Sequence, residues 1–406
     1  MMKHSSRYRL TIAVLILSVF LAGCGLRSGV SWPDVDVTTG FNDETQLVVA
    51  YSDYIERVDL NGNQVVLRFE DGTPRTEGND QRRWEINGEA TDSNFYVTPI
   101  ELDENTLLVP DYNDQLLIYD VSLEFVRLRE GANSRIQLPG HVLASPTLYE
   151  PEGADRLVLV PISEQNVIAY NVDDNFSEAW VFETERGVWA SPLIIDSTAY
   201  IPGTDHFLYV VNVETGEELY RVDLGGAIGA TPYYDGEGAL YVGSFDRHFW
   251  RIDITGEYDD PQERVTAQYN TEGWVWAAPT VFDGKFYITD MNGFVYALSI
   301  NEDGTEFIEE VKRQASSGGL RSKPIVTETY IVVASRNGNV YWLDRQNAEE
   351  LIKDNIDSEI LADLVYIEED EAVSRPALVI VSTSDNDKVL IPYTIDGDEY
   401  TWIYDR

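Results

Sequence analysis

Between residues 47 and 393 one pattern of apolar and polar positions keeps returning: a β-rich apolar run, a short polar turn, and a second β-rich run. The copies read LVVAYSDYIERVDL, LLVPDYNDQLLIYDV, LVLVPISEQNVIAYNV, YIPGTDHFLYVVNV, LYVGSFDRHFWRID, FYITDMNGFVYALS, YIVVASRNGNVYWLD and LVIVSTSDNDKVLIPY. Strand-forming residues on either side of Asn, Asp, Gly or Ser predict a hairpin in each copy. After several copies a glycine-containing turn leads into a further strand, as in VETGEELYRVDL (213–224) and IDGDEYTWIYDR (395–406). Ahead of each hairpin stands an anchor, a small residue, any residue and then proline, followed by a short apolar run. The anchors are Pro33, Pro99, Pro146, Pro192, Pro232, Pro279 and Pro324, with Leu364 in the eighth copy.

The spacings between anchors are 66, 47, 46, 40, 47, 45 and 40 residues. A period near 45 residues with four short strands per unit predicts an all-β, eight-bladed β-propeller of four-stranded antiparallel blades, with seven blades as the alternative. The long first spacing places an insertion within residues 71–88. The only stretch with helical character lies around 347–360. The last outer strand, Tyr400 to Tyr404, belongs to the same repeat as Leu364, so packing of the first blade against the last has to close the ring.

Composition adds charge to this picture. The 406 residues carry 71 Asp plus Glu against 29 Lys plus Arg, a formal net charge of -42. Nucleic acid is excluded as a partner, because its binding depends on cationic side chains that displace counterions. Adsorption to an anionic lipid surface is disfavoured for the same reason. A solvated acidic shell suits an extracellular or high-salt setting.

The N-terminus supplies an address. Lys3, Arg7 and Arg9 precede an apolar stretch of 13 residues, Leu10 to Ala22, too short for an ordinary membrane span. It ends in Leu21-Ala22-Gly23-Cys24, which resembles the lipobox of bacterial lipoproteins, and Cys24 is the only cysteine. The expected organisation is a lipoprotein signal peptide at 1–23, a lipidated N-terminus with a short tether at 24–30, and a propeller at 31–406. Acyl chains of the palmitate kind on Cys24 would anchor the protein at roughly 0.8 kcal/mol per buried methylene. The tether spans about 25 Å at roughly 3.5 Å per residue. The expected location is extracytoplasmic, on the cell membrane, or on the outer membrane if the source has one.

The segments GVWASP (187–192), YIPGTDHFLYVVNVETGEELYRVD (200–223) and GWVWAAPTVFDGKFYITDMNGFVYAL (273–298) resemble the pyrroloquinoline-quinone-type (PQQ-like) propeller repeat. Such repeats occur in quinoprotein dehydrogenases and in non-enzymatic lipoproteins of the BamB-like family, so the resemblance implies the fold without choosing an activity. The dehydrogenases resemble one another in a vicinal cysteine pair, a calcium site and an adjacent catalytic Asp. The chain has no such pair, and its Asp and Asn residues fall mainly in hairpin turns, which they favour. No cofactor and no metal is expected.

Other chemistries find little purchase. His141, His206 and His248 lie in three different repeats without zinc spacing, and there is no G-x-S-x-G elbow or phosphate-binding loop. No catalytic residue is assigned. What remains is a binding surface at the channel mouth, just before each anchor, where His141, Trp189, Ile228, Trp276 and Arg321 are expected. His141, Trp189, Trp276 and Arg321 are the candidate ligand-binding residues, an aromatic lining with one cation. The reading that follows is a non-catalytic scaffold for an envelope protein partner, as the BamB-like resemblance implies. The alternative is a receptor for a carbohydrate or peptide at the channel mouth, and the third class is an enzyme of unknown type.

Overall fold

The central strands are apolar on both faces, and each face is covered by a different neighbour. In the strand Leu157–Ile162, Val158 and Val160 join the core shared with the preceding blade, while Leu157 and Leu159 join the core shared with the following one. Alternate side chains of a strand point to opposite faces, so one six-residue strand serves two seams. The computed structural model describes residues 33–39, 44–68, 73–77, 80–88, 93–131, 133–370, 374–385 and 387–400. The segments expected to be a signal peptide and tether, with Cys24, lie outside the described residues, as does most of the outer strand expected at Tyr400 to Tyr404.

The eight anchors open eight antiparallel sheets. Blade 4 is representative: an inner strand Leu193–Ile195, a hairpin Thr198–Pro202 and Phe207–Asn212, and an outer strand Glu218–Asp223, hydrogen-bonded in chain order. Blade 2 divides its outer position between Val126–Leu128 and Arg135–Gln137, both paired to Gln115–Val121. Among the described residues blade 8 shows three strands, Val365–Ile367, Leu378–Ser382 and Leu390–Thr394, and an isolated bridge from Tyr393 to Glu399.

Eight apolar clusters fill eight seams. The one between the last and first blades joins Ile367, Leu378, Ile380 and Leu390 to Leu47, Val49, Tyr51 and Tyr54. Among the described residues no strand is exchanged between these two blades, and side-chain packing closes the ring as the sequence predicts.

Two local expectations are corrected. The insertion in blade 1 leaves the sheet after the strand Tyr54–Asp59 and rejoins it at Glu85–Asn87, so it begins earlier than residue 71 and ends before 88. The stretch around 347–360 is not helical: Glu350–Asn355 is an outer strand paired with Asn339–Asp344. Its helix-favouring Glu, Leu and Lys are overridden by an edge that supplies cross-strand hydrogen bonds. The helix among the described residues is a single 3-10 turn, Pro261–Arg264, and no helix there is long and apolar enough to cross a membrane.

Two regularities recur around the ring. The residue before the third strand takes a positive φ in five blades: Asp114, His206, Arg247, Gly293 and Gly338. Left-handed backbone costs a non-glycine residue about 1 kcal/mol, which the tight turn between paired strands imposes. The outer strands of blades 3 to 7 each contain a register shift, and in blades 4 and 7 the extra residue is an exposed leucine, Leu219 or Leu351.

Candidate functional site at the channel mouth

Blades 3 to 8 each begin with a lead-in loop that crosses from the preceding blade's outer strand to the ring axis. A buried carboxylate at the end of the second strand holds that loop in two blades. In blade 4, Asp205 accepts hydrogen bonds from the Glu185 and Arg186 amides (2.8 and 3.2 Å) and from the Tyr209 hydroxyl (2.8 Å). In blade 6, Asp290 accepts from the Gly273 amide (2.7 Å) and the Tyr296 hydroxyl (2.7 Å). The loops so fixed end in Trp189 and Trp276. Gly187 passes so close over blade 3 that a Cβ there would collide with the Ser163 carbonyl oxygen, which also accepts a bond from Trp189 Nε1 (3.2 Å).

A cavity of about 400 Å³ opens where these loops converge. The residue three places before each of the seven anchors from Pro99 to Leu364 lines it. Tyr96, Trp189, Trp276 and Arg321 supply its aromatic and cationic character, and Leu143, Gly229 and Leu361 its bland remainder. The positions directly before the anchors add Ser145, Ser191 and Thr231 on one side, with Lys323 and Asp363 on the other. Asp34, just after the first anchor, completes the wall.

Three of the four candidate residues therefore share one cavity. His141 does not line it: five places before its anchor, its ring stacks on Tyr112 (4.3 Å between centroids) with Nδ1 2.6 Å from the Asp114 carboxylate. Tyr112 in turn meets Tyr96 edge-on, so His141 stands two rings away from the lining. Ile228 is wholly buried in the seam between blades 4 and 5.

Of these rings, Trp276 is already engaged. Trp276 lies between Phe245, stacked at 5.0 Å, and the Arg321 guanidinium at 4.4 Å, while the far face of Phe245 stacks on Trp274 at 5.3 Å. A sugar ring needs an open aromatic face, and Trp276 offers none. The ladder instead holds Arg321 in place through cation–π attraction.

Asp34, Lys323 and Asp363 escaped the sequence reading. Their signal was the anchor register itself. Burial pushes the Asp34 carboxyl above its ordinary range, opposed by the Thr98 hydrogen bonds and reinforced by the nearby charges of Asp36 and Asp363. Burial also raises Asp363, against the Lys323 amide bond and the Lys323 and Arg321 charges.

A second cavity, about 370 Å³, lies at the seam of blades 1 and 2 beneath the insertion. Its buried cation is balanced locally: Arg57 sits 4.5 Å over the Trp84 ring and 2.8 Å from Glu101.

Fold and cavity together define an eight-bladed β-propeller with a ligand-sized opening at one mouth of its channel. No family model matches the chain, and no curated protein matches it. Among solved structures it is similar to BamB from Moraxella catarrhalis, at a TM-score of 0.59 and 16% identity, over 89% of this chain and 96% of that one. It is also similar to the computationally designed Ika8 protein, at a TM-score of 0.58 and 15% identity, over 90% of this chain and 98% of that one. At these identities the likeness is one of fold, and the chain has the BamB-like β-propeller fold.

Proposed function

We propose that this protein is a lipid-anchored, extracytoplasmic scaffold that docks another protein of the cell envelope and catalyses no reaction. The observation that carries this reading is the fold shared with BamB along nearly the whole of both chains. The Leu21-Ala22-Gly23-Cys24 signal adds an acylation site after a cleaved leader, and the acidic body suits a compartment outside the cytoplasm.

The test is crosslinking in intact cells followed by purification, comparing the native protein with Cys24→Ala. One envelope protein recovered in equal amount, and lost or weakened without the anchor, is the expected result. Recovery of no partner with either form overturns the scaffold.

The non-catalytic part has its own check. Purified protein supplied with quinone and calcium is expected to show no dye-linked oxidation of alcohols or sugars. Saturable quinone-dependent turnover would make it an enzyme.

A further inference from the structure

Blade 1 departs furthest from the repeat, with 66 residues to the next anchor against 40 to 47 elsewhere, and its extra residues build a cavity. The opening of about 370 Å³ at the seam of blades 1 and 2 is walled by residues 63–68, by Trp84 where the insertion returns to the sheet, and by Leu123, 40% exposed, from blade 2. The Arg68 amide donates to the Leu123 carbonyl (2.8 Å) and ties the insertion to that blade. A smaller cavity of about 260 Å³ lies against the same Arg57 and Trp84. Both sit at the strand ends opposite the channel mouth, where Gln46 near the start of one strand pairs with Asp59 at the end of the next. Insertions on a repeat scaffold commonly carry its binding sites.

Two buried polar side chains of this wall are unsatisfied. Among the described residues Gln46 Oε1 accepts no hydrogen bond and Trp84 Nε1 donates none, although the two residues are only 5% and 1% exposed. Each such atom carries a desolvation cost that a matching ligand group relieves. One is an acceptor and the other a donor. The charges around them nearly cancel: Arg57 is held 2.8 Å from Glu101, and Arg68 shares the wall with Glu44 and Asp59. A phosphate or carboxylate offers no proton to Gln46 Oε1. A sugar finds no open aromatic face, because Arg57 lies 4.5 Å over the Trp84 ring, which is otherwise packed into the seam. A carboxamide is neutral and carries one acceptor and at least one donor in a single plane.

We propose that this cavity binds a polypeptide through a carboxamide group, with its oxygen on Trp84 Nε1 and its N–H on Gln46 Oε1. Both atoms are covered, so the group enters as the long Gln46 side chain turns between rotamers. Two sources carry the chemistry, an Asn or Gln side chain and a backbone peptide group. The site does not depend on the anchor or on the scaffold reading: crosslinking asks whether an envelope protein docks, and titration asks what this cavity holds.

The test is a titration of the full chain labelled with 15N-tryptophan, followed at the indole N–H resonances. The resonance of Trp84, one of nine tryptophans, is identified by its loss in Trp84→Phe. The probes are acetyl-Val-Gln-Val-methylamide, the same peptide with Met in place of Gln, and glucose. The Gln peptide is expected to shift the Trp84 resonance saturably. An equal effect of the Met peptide assigns the backbone group as the source, and no effect assigns the side chain. Gln46→Leu is expected to weaken binding about fivefold or more, the loss of one hydrogen bond, while the other indole resonances stay in place. No saturable shift with either peptide, which means a cavity that holds only water, a saturable shift with glucose, or unchanged affinity in Gln46→Leu would each overturn the proposal.

Discussion

Asp290→Ala is expected to lower the stability of the ring by about 4 kcal/mol, measured as a fall in the denaturant midpoint. The side chain is fully buried and accepts four hydrogen bonds, from the Gly273, Asn292 and Phe294 amides and the Tyr296 hydroxyl, at 2.7 to 2.9 Å. Alanine leaves the Gly273 amide and the Tyr296 hydroxyl buried without that acceptor, and takes one from the part-buried Asn292 and Phe294 amides. Asp290→Asn keeps one acceptor oxygen and is expected to lose about half as much. Because Asp290 also fixes the loop that ends in Trp276, the alanine variant should shift the fluorescence of that aromatic stack before global unfolding. A loss below about 1 kcal/mol in Asp290→Ala would show that the loop is held by its other contacts.

The second large effect belongs to the seam that closes the ring. Ile380 is 1% exposed and packs between blades 8 and 1. Ile380→Asp places an unpaired charge there and is expected to cost more than about 5 kcal/mol, opening the ring to limited proteolysis at 25 °C. Ile380→Val removes one methylene group and should cost about 1 kcal/mol without new cleavage. The contrast is diagnostic because, among the described residues, no strand shared between the first and last blades would hold the seam once its apolar faces separate. Protease resistance of Ile380→Asp equal to that of the native protein would mean that closure rests elsewhere.

Much of the ring could be read directly from the chain. The anchors mark inner strands because a proline there forfeits no ladder bond, and the hairpins follow from apolar runs around turn residues. What the pattern could not supply was register. His141 and Ile228 attract notice by chemistry or position, but they stand five and four places before their anchors, whereas the lining residues stand three before. The true equivalents, Leu143 and Gly229, carry no chemical signal. Asp34 and Asp363 were hidden for a different reason: in so acidic a chain a carboxylate is noticed only once the fold shows which ones face inward. The insertion was misplaced because its residues pair irregularly, Val66 with Arg83 and Arg68 with Pro74, and present no strand of ordinary length.

The register shifts in the outer strands govern how the molecule meets copies of itself. A propeller exposes one sheet edge per blade around its circumference, and a straight edge is a template on which a foreign strand can continue the sheet. In blades 3 to 7 an extra residue breaks the spacing of that template and twists it. Crowded at high density on one surface, such rings can touch side by side without knitting together into fibres, and the loops at the two faces are left to select what binds.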